Sequence, residues 1–158
     1  MDYLWSPWRY TYLAAVDRQK GCVFCRIAQE QTDAENYLVH RASLNFVVLN
    51  LFPYTNGHLL IVPYQHRASL AAVGESTTTE MMELAKRAQA ALESEYHPDG
   101  FNIGMNLGRS AGAGIADHLH MHVVPRWGGD ANFVSIIGET RVLPETLDAT
   151  YNRLKRHF

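Results

Sequence analysis

Hydrophobic positions along the chain fall into two periods. Between 77 and 96, Met81, Leu84, Ala85, Ala88, Ala91 and Leu92 recur every three or four residues, predicting one long amphipathic helix that ends at HPDG. Thr77 and Glu80 form a capping-box pattern at its start. Elsewhere apolar residues alternate or come in short runs. ENYLVHR and LNFVVLN, joined through RAS, read as strands; LFPYTNG supplies turn residues, and HLLIVPY is a third β-rich run closed by Pro63. FNIGMNL and HLHMHVVP are further strands on either side of the glycine-rich GRSAGAG, followed by a short NFVSII and a helix from about Glu145 onward. CVFCRIAQEQ predicts a helical turn, and Ser6 with Pro7 predicts a short helix in SPWRYTYLAAV. Strands outnumber helices and neighbours are close in sequence, so the expected class is α+β with a mostly antiparallel sheet.

The run DHLHMHVVPRW holds His118, His120 and His122 on every second residue. On a helix His120 would oppose the other two. On a strand all three share one face while Leu119, Met121 and Val123 share the other, so the apolar partners favour a strand with an imidazole row facing a cleft. His118 and His122 then lie about 13 Å apart along the backbone. A metal–imidazole bond is only about 2 Å, so one ion cannot readily collect all three from a straight strand. At least one histidine does something else. A hydrogen-bonded histidine face is the bland alternative, and three in register beside a glycine loop favour function.

The preceding loop, NLGRSAGAGIADH, carries Gly108, Gly112 and Gly114, which let the main chain approach a ligand and can form an anion-binding nest. It matches neither a triphosphate-binding loop nor a dinucleotide fingerprint. Beside imidazoles it suggests phosphate chemistry, in which a neutral ring nitrogen attacks phosphorus and splits one difficult displacement into two.

Composition narrows the classes. The chain has 158 residues, 47% of them hydrophobic, and a formal charge of -2, which suits one domain with a proper core. The near-zero charge argues against a nucleic-acid backbone reader. MDYLWSPWRYTYLAAVDRQKG lacks the uninterrupted apolar core of a signal peptide, and no stretch is long enough to span a bilayer. A cytoplasmic protein with two reduced cysteines and no membrane partner is expected. Those cysteines, Cys22 and Cys25 of CVFC, have half-zinc-site spacing; a redox dithiol would need a βαβ context that is missing. A closed tetrahedral site needs two further ligands, with His58, His66 and one member of the histidine row as candidates. Two inert thiols are the alternative.

HLHMHVV resembles the His-x-His-x-His-x-x signature of the histidine triad (HIT) superfamily of nucleotidyl hydrolases and transferases. VLNLFPYTNGHLLIVPYQHRASL, the helix after it and FNIGMNLGRSAGAG follow the family order, so the resemblance covers roughly residues 22–132. LWSPWR and HVVPRWGGDANF are similar to a bacterial branch related to diadenosine tetraphosphate phosphorylases. The resemblance implies a HIT-like fold, with an N-terminal arm at 1–20 and a HIT domain at 21–158. It implies His120 as the nucleophile, His122 as phosphate binder and proton donor to the leaving group, and His58 as their hydrogen-bonding support. Asn50 corresponds to the ribose-gripping residue, and Val23, Phe24, Ile27, Val48 and Leu51 to the apolar clamp on the base. Asn106, Gly112, Ala113 and Gly114 match the phosphate loop, and Trp127 a tryptophan of the phosphorylase-like branch. Zinc-containing relatives place a structural Zn2+ on residues matching Cys22, Cys25, His66 and His118.

The implied activity is nucleotidyl transfer or hydrolysis on dinucleoside polyphosphates through a covalent nucleotidyl-His120, with adenine nucleotides as partners. AGAGIA lacks the Gln or Ser that many hydrolases and some phosphorylases carry, so phosphate binding is expected to lean on backbone amides, and the acceptor, water or orthophosphate, stays open. A nucleoside phosphoramidate hydrolase, a nucleotide-binding regulatory module and a catalytic zinc hydrolase are the other readings. The family further implies a homodimer or higher oligomer, to which the aromatic arm can contribute.

Overall fold

The computed structural model describes residues 21–131 and 143–158. The predicted short helix at Ser6, the NFVSII strand and the 1–20 arm lie outside them. Five strands form one antiparallel sheet: β1 (Leu38–Arg41), β2 (Asn45–Leu49), β3 (Leu59–Pro63), β4 (Gly100–Gly104) and β5 (Met121–Arg126), in the order β1-β2-β3-β5-β4. Helix α1 (Val23–Gln29) precedes β1, α2 (Glu75–Tyr96) links β3 to β4, and α3 (Leu147–Leu154) follows the sheet. The α+β expectation holds.

The central strands β2 and β3 are buried at every position, because each face of the sheet is covered. Val47, Leu49, Leu59, Ile61, Met121 and Val123 turn toward Met81, Leu84, Ala85, Ala88 and Leu92 of α2 and Tyr151 and Leu154 of α3. This is the helical face that the three-to-four spacing predicts. Phe46, Val48, Leu60 and Val62 turn the other way and meet Phe24 and Ile27 of α1. Arg41 fastens α1 to the sheet. Its guanidinium donates to the carbonyls of Ala28 (2.9 Å), Ile27 (3.3 Å) and Glu30 (2.6 Å), closing the helix C-terminus, and pairs with Asp33 at 2.7 Å.

Two boundaries differ from expectation. α2 begins at Glu75 with Gly74 as its N-cap, and the Thr77–Glu80 capping box does not form. Thr77 is buried one turn inside, and the Glu80 carboxylate is engaged by the β1–β2 turn: Leu44 N–H donates at 2.8 Å, Ser43 N–H at 3.1 Å and the Asn45 amide at 2.8 Å. A distant turn outcompetes the local cap. Likewise β5 starts only at Met121, so His118 and His120 precede the ladder. Their alternation survives, since Leu119 joins the α2-side core while Phe24 packs on the rings of His118 and His120 on the other side.

Candidate active site and metal centre

The imidazoles are held by hydrogen bonds whose directions fix where each proton sits. His120 Nδ1 lies 2.9 Å from the carbonyl of His118. A carbonyl only accepts, so Nδ1 carries the proton and Nε2 keeps its lone pair. Burial lowers the pKa of His120, against the opposing pull of that carbonyl. The ring is therefore a neutral, desolvated base.

Beside it stands a two-histidine chain. The backbone N–H of Tyr54 donates to His58 Nδ1 at 3.1 Å, and the Asn50 amide approaches the same nitrogen at 3.3 Å. His58 must then carry its proton on Nε2, which donates to His122 Nδ1 at 2.9 Å. That leaves the His122 proton on Nε2, a buried atom with no hydrogen-bond partner among the described residues. Burial, and secondarily the charge of His120, brings His122 down to about 4. An unsatisfied buried N–H costs about 1–3 kcal/mol, which an anionic ligand would recover. The ring centroids of His120 and His122 are 5.0 Å apart, so the lone pair and the orphan donor serve one small site.

His118 belongs to a different constellation. Its Nε2 donates to the Pro63 carbonyl at 2.9 Å, so Nδ1 is the free ligand atom. Nδ1 lies 3.2 Å from Cys22 Sγ and 3.6 Å from Cys25 Sγ, and Cys25 Sγ lies 3.2 Å from His66 Nδ1. All four ligand atoms fall within 4.8 Å of one another. Ligand bonds of zinc length in a tetrahedron put sulfur and nitrogen about 3.6 Å apart, so this Cys2His2 set fits the ion. His58, the other candidate, is committed to His122 instead.

The remaining expected residues divide. Phe24, Ile27 and Val48 are buried together, with Val23 packed on them at the surface. Leu51 stands apart, 47% exposed, beside a separate cavity of about 210 Å³. Asn50 is partly spent inside the protein: its Oδ1 accepts from Phe52 N–H at 3.0 Å, while its amide supports His58. Asn106 shares a cleft of about 450 Å³ with His122 and Tyr54. In the glycine loop, the amides of Gly112 and Ala113 turn inward to the carbonyls of Arg109 (3.0 Å) and Gly108 (3.4 Å). The expected backbone nest is thus narrower than the sequence implies, since two of its amides are spent inside the loop. Trp127 sits at the far end of β5, its indole N–H on the Tyr96 carbonyl at 3.3 Å. Tyr54, whose ring is stacked on His122 at 6.0 Å and tilted on His58 at 4.7 Å, is the site residue the sequence reading missed. Its position between Asn50 and His58 was the available signal.

A neutral, desolvated imidazole, a buried N–H donor without a partner among the described residues and a Cys/His cluster beside one antiparallel sheet define a histidine-triad protein. The HIT domain family matches residues 31–129, and the chain belongs to it. It is 42% identical to an AP-4-A phosphorylase of Mycobacterium tuberculosis (strain CDC 1551 / Oshkosh), over 95% of this chain and 80% of that one. It is 27% identical to an adenosine 5'-monophosphoramidase of Schizosaccharomyces pombe, over 67% of this chain and 74% of that one. Among solved structures, a Zn-bound histidine triad family protein from Mycobacterium smegmatis superimposes with a TM-score of 0.70 at 29% identity, covering 87% of this chain and 92% of that one.

Proposed function

We propose that the chain is a nucleotidyl-transferring enzyme acting on dinucleoside polyphosphates, with phosphorolysis of diadenosine tetraphosphate as its reaction. The observation that carries this is the pairing of a lone pair on His120 Nε2 with a proton on His122 Nε2. The 42% identity to an AP-4-A phosphorylase across nearly the whole chain supports the substrate class. His120 Nε2 forms a bond to the α-phosphorus while the bond to the bridging oxygen breaks. The electron pair leaves with ATP, whose departing oxygen accepts a hydrogen bond from the neutral His122 Nε2–H. An orthophosphate oxygen then attacks the same phosphorus, the N–P bond breaks with its electron pair returning to His120 Nε2, and ADP leaves. His58 holds His122 in the tautomer that makes this possible. Val23, Phe24, Ile27 and Val48 receive the base, Asn50 meets the ribose, and Asn106, Gly112, Ala113 and Gly114 border the phosphates; Leu51, at the neighbouring cavity, lies outside this clamp. Trp127 closes the site from the far end of β5.

Zinc on Cys22, Cys25, His66 and His118 fits as a closed structural centre, whose chemistry is to pin α1 against the catalytic residues. Among the described residues β4 is the edge strand, with Ile103 exposed on it, which supports pairing of two copies as a homodimer. No described helix is long and apolar enough to cross a membrane, in keeping with a cytoplasmic enzyme.

The test is product analysis with diadenosine tetraphosphate. ADP and ATP formed only with orthophosphate mark a phosphorylase; AMP and ATP without it mark a hydrolase. Turnover of adenosine phosphoramidate alone favours the monophosphoramidase-like reading. If His120→Gly matches the wild type on every nucleotide, the reading is wrong.

A further inference from the structure

The cleft that begins at His122 continues along β5, and its far end has chemistry of its own. His122, Val124 and Arg126 are alternate residues on one face of β5, so His122 and Arg126 are about 13 Å apart along the backbone. Asn102 of β4 lies opposite Val124 and lines the same 450 Å³ cleft. The guanidinium of Arg126 is held on two sides. Asp130 accepts from Nε at 2.6 Å and from one terminal nitrogen at 2.9 Å, and Asn102 Oδ1 accepts from the other at 2.6 Å.

This ion pair is asymmetric. The Asp130 side chain is 13% exposed and the Arg126 side chain 46%; both line the cleft, and the guanidinium is the more open of the two. Of five guanidinium N–H donors, three are used and two remain. Asn102 Oδ1 accepts from Arg126, which leaves the two N–H donors of its amide for other partners. The cleft thus has His122 at one end and the Arg126 guanidinium at the other, with the Asp130 carboxylate beside the guanidinium and already engaged by it. A guanidinium braced by a carboxylate is oriented before any ligand arrives, which favours forked recognition of phosphate oxygens.

We propose that Arg126, oriented by Asp130 and Asn102, binds the distal phosphates of the polyphosphate chain and so sets the enzyme's preference for long over short substrates. The proposal rests on the dinucleoside polyphosphate reading above. The α-phosphate sits at His120 and His122, and the leaving portion runs along β5 toward the guanidinium. A substrate with one phosphate ends before reaching it.

The experiment compares wild type with Arg126→Gln and Arg126→Lys on diadenosine tetraphosphate and adenosine 5'-phosphoramidate, with orthophosphate varied independently. Arg126→Gln is expected to lower the ratio of kcat/KM for the long substrate to that for the short one at least tenfold, mainly through KM. Arg126→Lys, keeping charge without the fork, should fall between. An unchanged ratio overturns the proposal, as does a higher KM for orthophosphate alone. If the wild type does not cleave the tetraphosphate, the functional reading fails by itself, and calorimetry with inorganic tripolyphosphate decides the subsite. Binding weakened tenfold or more by Arg126→Gln upholds it; equal affinity, or no binding to the wild type, overturns it.

Discussion

His58 and His122 share one hydrogen bond, Nε2 to Nδ1 at 2.9 Å, and its direction is set from outside the pair. The Tyr54 N–H can only donate, so His58 Nδ1 accepts, and the proton order propagates to His122 Nε2. A backbone amide in a turn thus decides which nitrogen of His122 holds a proton. Replacing His58 with Ala frees His122 to change tautomer and leaves its Nδ1 buried without a donor. Loss of a supporting hydrogen bond of this kind costs about 10–100-fold in activity. Steady-state kinetics should show that loss in kcat more than in KM, while His58→Gln, whose amide can donate, retains part of the rate.

Removing the metal should loosen the fold. α1 is held to the sheet by Phe24, Ile27 and the Arg41 cap, and Cys22 and Cys25 would tie its first turn to His66 and His118. A structural zinc predicts one equivalent per chain by elemental analysis. Strong chelation, or Cys22→Ser, should lower Tm by at least about 5 °C, roughly 2 kcal/mol in a chain of this size. Activity should fall in step with the loss of structure. An unchanged melting curve alongside abolished turnover would instead assign the metal to catalysis.

Periodicity in the sequence located the long helix and the five strands within the described residues; the helix and strands β2, β3 and β5 bury continuous faces, whereas β4 is half-buried to exposed along its length. The extended spacing of alternate rings implied only that at least one of the three histidines serves a different purpose from the others; that it is His118 was implied by the family resemblance. Long-range competition was not legible. Glu80 matches a local cap as well as it matches the β1–β2 turn, and only the fold brings Ser43 and Leu44 within its reach. Asn50 similarly reads as a ribose ligand, yet part of its hydrogen-bonding capacity supports His58. The inward turn of the Gly112 and Ala113 amides depends on dihedral angles at Gly108 and Gly112 that composition leaves free.

Glu80 gives the fold an acid limit. Burial raises its pKa, but hydrogen bonds from the Asn45 side chain and from the Leu44 and Ser43 amides outweigh this and hold it below the usual carboxylate range. A group with a depressed folded pKa contributes stability above its unfolded value, about 4.3, and that contribution disappears as pH falls through the folded value. Thermal melts should therefore show Glu80→Gln destabilised at pH 7, with the gap to wild type closing below about pH 4. A gap that stays constant down to pH 3 would mean the carboxylate charge contributes nothing.

Gly57 is the tightest point behind the site. It has φ of +77°, and an added Cβ would meet Leu92 Cδ2 at 2.6 Å, inside the α2-side core. Two costs therefore combine in Gly57→Ala. The left-handed backbone costs about 1–2 kcal/mol for a residue with a Cβ, and overpacking a full core costs about 1–3 kcal/mol. Urea unfolding should show a loss of about 2–4 kcal/mol if the two costs largely add. The second cost can be separated, because Leu92→Ala removes the obstructing methyl. In the double variant the Gly57→Ala increment should shrink to the backbone part alone, even though Leu92→Ala is itself destabilising. Because Gly57 adjoins His58, any backbone shift also displaces the ring that holds His122. The single variant should lose kcat as well as stability, and the double variant should recover some of that rate. Equal increments in both backgrounds would show that Leu92 does not constrain the turn.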